Sequence, residues 1–330
     1  MRINQRWFVW IILTLCVLAI PVAVLTQGLA SAPAAKDGNG SGLMTKFKDR
    51  IQVVKLSGMI IDKADSGLLS SSAGSATETL KDLRKAIKND KVKGVLLRVN
   101  SPGGTVPTSQ EIYEAVKELK KKNKIVVVSM GDMAASGGYY VSCAADKIVA
   151  NPGTLTGSIG VIMNLMNFKA LADKVGIEPE VVKSGLFKDI ASPYHKMTKE
   201  ERQILTDLIM DSYDQFTQVV AEGRALPIEE VKRIADGRIY SGRQAKAIKL
   251  VDELGTYSDA LALLQKLCKE RFKNSADLPV EDVSNDSFLS TLLESAGAEA
   301  PPLSGKMELS SYVPVELSPA LTRQPLWLYR

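Results

Sequence analysis

Ser136 sits in Ala134-Ala135-Ser136-Gly137-Gly138, between an apolar, β-branched run at 124–129 and a stretch from Tyr139 that can continue as a buried helix. A hydroxyl at a strand-to-helix switch, flanked by residues without bulk, suits a nucleophile. The alanines and glycines let a second backbone come close, and unpaired amides at a helix start can meet developing negative charge. Ala135-Ser136-Gly137-Gly138 also fits a plain tight turn, and the Gly-x-Ser-x-Gly elbow is not matched. The chain has one histidine, His195, in the polar turn 192–196. A Ser-His-Asp enzyme would have to use it, yet nothing around it marks a catalytic base. A nucleophilic Ser136 therefore calls for a lysine partner. Such a lysine acts in its neutral form, which requires a site shielded from water.

Around Ser136 the chain alternates strands and helices. Strands are expected at 51–56, 92–100, 124–129, 147–150 and 181–183. Helices are expected at 77–89, where Leu80, Leu83 and Ile87 share a face, and at 109–121, 168–175, 198–221 and 258–272, with shorter ones from Pro227 and from Ile239. Thr198-x-x-Glu201 is a capping-box signature. The pattern predicts an α/β domain with βα or ββα crossovers over 51–272, helix-rich toward its C-terminal part. Ser66–Ala76 reads as a loop. The tail 273–330, with its prolines, reads as partly irregular.

The N-terminus reads differently. Residues 1–6 carry Arg2 and Arg6, and Trp7–Leu25 holds no charged residue, so 7–26 is expected to be a transmembrane anchor. The arginines place the N-terminus in the cytoplasm and the remainder outside, which makes a single-pass protein of the cell membrane. A cleaved signal peptide is the rival reading, with Ala30-Ser31-Ala32 as one of its cut sites. Residues 27–50 read as a flexible linker. The net charge of +5 is dispersed, with no basic block interleaved with aromatics, so nucleic acid is not an expected partner. Three cysteines make no disulfide framework, no Cys/His cluster has metal spacing, and neither cofactor nor metal is expected.

Several segments, in order, resemble the signal peptide peptidase A family (protease IV type), Ser-Lys peptidases with a Clp-protease/crotonase-like fold of repeated ββα units. They are 97–104 (Leu-Arg-Val-Asn-Ser-Pro-Gly-Gly), 133–140 (Met-Ala-Ala-Ser-Gly-Gly-Tyr-Tyr), 145–152, 156–161 (Thr-Gly-Ser-Ile-Gly-Val), 184–189 (Ser-Gly-Leu-Phe-Lys-Asp) and 237–245. The resemblance implies Ser136 as nucleophile and Lys188 as general base. It implies Ser158 as a hydroxyl orienting that lysine, and Gly103 or Gly104 with Gly137 as the oxyanion hole. It further implies a short form with one catalytic domain per chain, assembled as a ring or dome, in which the dyad can be completed within or between subunits. Remnant signal peptides and other apolar peptides are the expected substrates, held between walls such as Leu68-Leu69, Val106 and Met163–Met166. The competing readings are a non-catalytic membrane scaffold of the same fold and an acyl-CoA-processing crotonase relative.

Overall fold

The computed structural model describes residues 48–62 and 74–283. The expected anchor, nearly all of the linker, Leu68-Leu69 and the tail from 284 lie outside the described residues. Among the described residues, no helix is long and apolar enough to cross a membrane.

The order of elements is β1 (Arg50–Ile60), α1 (Ala76–Lys88), β2 (Val92–Gly104), α2 (Val106–Lys121), β3 (Ile125–Ala135), α3 (Gly137–Ser142), β4 (Lys147–Ala150), β5 (Leu155–Gly157), α4 (Lys169–Val175), α5 (Lys199–Arg224), α6 (Ile228–Ile234), β6 (Ile239–Ser241), α7 (Gly242–Ala247), β7 (Glu253–Leu254), α8 (Tyr257–Phe272) and β8 (Val280–Asp282). Along the sheet the strands run β6-β5-β3-β2-β1-β8, with β4 also pairing β3 and β7 pairing β4. Every pairing is parallel except β5 with β6.

A parallel sheet is covered on both faces, so its strands read as continuous apolar runs rather than alternating ones. In β3, Val126, Val128 and Met130 join the larger core, while Ile125 and Val127 join a second core with Ala260, Leu264 and Cys268 of α8. β2 divides in the same way, Val95, Leu97 and Val99 to one side and Leu96 to the other. The period of two thus feeds two layers from one strand. Each fully buried Val, Leu or Ile contributes roughly 1.5–3 kcal/mol.

Local signals explain the helix ends. Ser75 caps α1 by accepting from the Glu78 amide at 3.3 Å. Thr198 and Glu201 form the expected capping box at the start of α5. The end of α1 is closed by a lysine from another element: the Lys124 ammonium donates to the carbonyls of Ala86 at 2.6 Å and Asn89 at 2.5 Å. That contact accounts for a lysine only 4 % exposed, and burial pushes its pKa down.

Several expectations need correcting. The strand at 92–100 does not stop at Asn100; Ser101-Pro102-Gly103-Gly104 stays extended, paired to Met59 and Ile60 of β1. The helix that follows starts earlier, at Val106, because Pro107 is well suited to a first turn. The strand at 124–129 runs on to Ala135, and the buried helix begins at Gly137 rather than Tyr139. Residues 181–183 form no strand: no neighbouring strand pairs with them among the described residues, and Val182 is fully exposed. Pro227 is the N-cap of α6, just outside it. Ile239–Ser241 forms a strand rather than opening a helix. In the segment read as irregular, Val280–Asp282 pairs β1 as an edge strand.

Candidate active site

The C-terminal ends of β2 and β3 carry the site, at the strand edge where parallel sheets commonly bind their ligands. β3 delivers Ser136 directly. Its φ of 50° and ψ of −122° fall outside the regions a side chain ordinarily tolerates, a conformation costing on the order of 1–3 kcal/mol. The Ser136 amide donates to the carbonyl of Gly157 at 2.9 Å, which ties the nucleophile candidate to β5.

β2 delivers the glycines. Gly103 has a φ of 101°, and a Cβ there would stand 2.7 Å from both the Gly137 nitrogen and the Ser136 Cβ. A Cβ on Gly104 would collide with the Ile60 carbonyl, and one on Gly137 would collide with Ser109 Oγ. Backbone approach this close is open to glycine alone. Ser101 Oγ already accepts the Gly103 amide at 3.0 Å. Gly104 and Gly137, by contrast, line a cleft of about 350 Å³ together with Ser136.

The other walls of that cleft are apolar or hydroxylated: Val106, Tyr140, Val161, Ile162 and Phe216, with Ser109 and Ser212. Tyr140 is fixed edge-on between Tyr113 and Phe216, with ring centroids 5.2 Å apart on either side. Of the expected walls, Val106 is here, while Met163 and Met166 line a neighbouring cleft beside His195. The sequence missed Phe216 and Ser212 because α5 reaches the site from some eighty residues downstream; no local signal marks them.

Ser158 is half-buried with a φ of 51°, and its amide donates to the Arg238 carbonyl at 2.8 Å. Lys188 is not among the residues lining the Ser136 cleft. It is exposed, in a turn over 186–190 where its amide donates to the Gly185 carbonyl at 3.1 Å. Asp189 beside it is engaged elsewhere: Lys183 Nζ lies 2.6 Å from its Oδ1 and holds the carboxyl below its usual pKa. His195 Nε2 sits 3.7 Å from Asp189 Oδ2 and from Glu201 Oε1. The backbone carbonyls of Lys196 and Asp189 raise its pKa. Asp189, His195 and Glu201 thus come together although the sequence spacing did not suggest it. The Glu201 carboxylate is also occupied by the Thr198 amide, as the helix cap, so the trio reads as an ionic tie between the turn and α5. Cys143 and Cys268 are buried free thiols, pushed up by burial to about 12 and about 11, values at which neither is a nucleophile.

The chain from Ile162 to Phe187 exposes an unusual amount of apolar surface, including Ile162, Met166, Leu171, Val182 and Leu186. Patches of this kind mark surfaces that other molecules cover.

Comparison with known proteins agrees with this geometry. A profile described as Peptidase family S49 matches residues 118–271, and one described as Clp protease matches residues 69–155. A protein of Enterococcus faecium named signal peptide peptidase SppA is 41% identical over 252 residues, 75% of this chain and 72% of that protein. A protein of Synechocystis named as a protease is 42% identical over 266 residues, 78% of this chain and 92% of that one. Protease 4 of Haemophilus influenzae is 36% identical over 248 residues, 74% of this chain and 40% of that protein. With a Clp protease-like α/β fold and similarity of this extent, the chain belongs to peptidase family S49 and is a serine protease.

Proposed function

We propose that the protein is a membrane-anchored endopeptidase that uses a Ser136–Lys188 dyad to cleave remnant signal peptides and other apolar peptides on the outer face of the cell membrane. The observation that carries the dyad is Ser136, held in a strained turn at the mouth of a largely apolar cleft and flanked by the backbone of Gly104 and Gly137. Ser136 Oγ attacks the scissile carbonyl carbon while neutral Lys188 Nζ takes the hydroxyl proton. The carbonyl π bond opens to an oxyanion, which accepts hydrogen bonds from the Gly104 and Gly137 amides; the loss of one such donor typically costs about 3–4 kcal/mol. Gly103 shapes this hole rather than donating, since Ser101 occupies its amide. The C–N bond then breaks, and the lysine proton passes to the departing amine. Water, deprotonated by the same lysine, hydrolyses the acyl-serine and regenerates the free hydroxyl. Ser158 orients the lysine.

Lys188 is exposed and outside the cleft within one chain, on a segment rich in exposed apolar side chains. Both facts support an assembly in which a second copy covers that segment and the dyad is completed between neighbours. The shielding a neutral lysine requires would then arise on assembly.

The test uses the full chain in membranes or detergent with a fluorogenic apolar peptide. Ser136→Ala and Lys188→Ala are each expected to abolish cleavage while leaving the melting curve in place. Co-expressing the two inactive variants is expected to restore part of the activity, because a mixed assembly contains intact pairs. Cleavage surviving in both single variants sinks the dyad. Inactive singles without restoration in a verified mixed assembly sink only its completion between copies.

A further inference from the structure

β3 loses both of its neighbours just before it delivers Ser136. On one side its register with β2 runs Val99 to Met130 and then Ser101 to Ala134, so residues 131–133 face the single residue Asn100. On the other side β3 pairs β4 through Ser129 and takes up β5 only at Met133. A bulge of this kind leaves backbone groups without ladder partners, and buried ones must be satisfied in another way.

Three side chains from two segments hold the gap and the residue that follows it. Asn100 Oδ1 accepts the Met133 amide at 3.1 Å. The Asn100 side chain packs against Gly131, where a Cβ would stand 2.9 Å from its Cγ. Thr154 Oγ1 donates to the Gly131 carbonyl at 2.7 Å, and Thr156 Oγ1 donates to the Ala134 carbonyl at 2.7 Å. Both threonines are buried, at 2 % and 0 % exposure. The next residue after Thr156, Gly157, receives the Ser136 amide. None of the three is among the residues lining the cleft.

We propose that Asn100, Thr154 and Thr156 are positioning residues for Ser136, holding the 131–133 bulge and Ala134 after it, and so the place of the nucleophile against the Gly104 and Gly137 amides. The clamp acts through the backbone: Ala134 is two residues from Ser136, and any relaxation of its carbonyl moves the strained turn. A misplacement of about 1 Å at a reacting atom can cost about 100-fold in rate. The inference rests on Ser136 being the nucleophile.

The experiment compares Thr156→Val, Thr156→Ser and Asn100→Ala in the full-length assembled protein. It reads kcat and KM for peptide cleavage, the rate of labelling by a fluorophosphonate probe with its site mapped by mass, and the melting temperature. Valine keeps the threonine shape and loses the hydroxyl, whereas serine keeps the hydroxyl. Thr156→Val is expected to lower kcat and the labelling rate at Ser136 by about tenfold or more, with KM within about threefold, and Thr156→Ser to restore most of the loss. Asn100 is exposed, so Asn100→Ala keeps the test open should Thr156→Val fail to fold; it is expected to slow labelling in the same direction. Labelling that stays at wild-type rate in folded Asn100→Ala and Thr156→Val overturns the clamp while leaving Ser136 as nucleophile. A serine variant as slow as the valine one overturns the role of the hydroxyl. Absence of label from Ser136 in the active wild type removes the nucleophile reading itself, and the clamp with it.

Discussion

Ser136 and Gly103 share one constraint. Both adopt positive φ, and a Cβ on Gly103 would stand 2.7 Å from that of Ser136. Ser136 carries strain there, which the proposed role of its hydroxyl accounts for, and Gly103 adopts its φ at no steric cost. Gly103→Ala is therefore expected to fail twice. The added Cβ meets the Gly137 nitrogen at 2.7 Å, displacing the proposed oxyanion donor, and the φ of 101° becomes strained. We expect kcat to fall by about 100-fold or more and stability to fall by more than about 1 kcal/mol, read from peptide turnover and thermal melts. Turnover within twofold of wild type would mean that the backbone at Gly103 is far from the oxyanion.

Elements remote from Ser136 in sequence still shape the candidate cleft. The end of α5 is tied to the start of β4 by Asp252, which accepts from Arg224 Nη1 at 2.9 Å and from the Ile148 amide at 2.8 Å, with Lys147 Nζ at 3.5 Å. Burial pushes the Asp252 carboxyl up, but the Arg224 guanidinium outweighs it, so the group ends below its ordinary value of 3.8. A carboxyl depressed on folding contributes stability above its unfolded value and loses it as pH falls through the folded one. Asp252→Asn is expected to cost about 2 kcal/mol at neutral pH. The gap to wild type should stay open down to about pH 4 and close below it. Urea unfolding across pH 2–7 (an ordinary titration series) measures this, and a gap that does not change with acid would remove the ion pair as its cause. Because α5 also brings Ser212 and Phe216 to the cleft, the variant should weaken apolar substrates before the fold is lost.

Among the described residues, the segment from Ile162 to Phe187, next to Lys188, leaves many apolar side chains uncovered. Exposed side chains such as Ile162 at 82% and Leu186 at 72% carry a solvation penalty that burial against another copy would relieve. Val182→Asp is expected to shift the assembly toward monomer in analytical ultracentrifugation and to lower activity in step with the loss of assembly. The isolated fold should keep its melting temperature, because Val182 touches little of its own chain. Full activity in a demonstrated monomer would separate catalysis from assembly and return Lys188 to its own Ser136.

Much of this molecule is legible in the order of its residues. The apolar runs of β1–β3, the amphipathic face of α1, the Thr198 cap and the small residues around Ser136 are local, and local patterns register in sequence because they recur at the period of the element. The ordered motifs from Leu97 to Ala245 point to the peptidase family before any coordinate is considered. What three dimensions added is non-local. The extension of β2 through Ser101-Pro102-Gly103-Gly104 depends on β1 lying alongside, and β8 depends on the same strand's other edge. The burial of Lys124 depends on carbonyls at the end of α1. That Ser101 occupies the Gly103 amide while Gly104 lines the cleft shows only in the folded backbone. The exclusion of Lys188 from the cleft depends on where an entire arm projects. The first three are settled by backbone groups finding partners far along the chain, and hydrogen-bond satisfaction leaves no periodic trace in sequence.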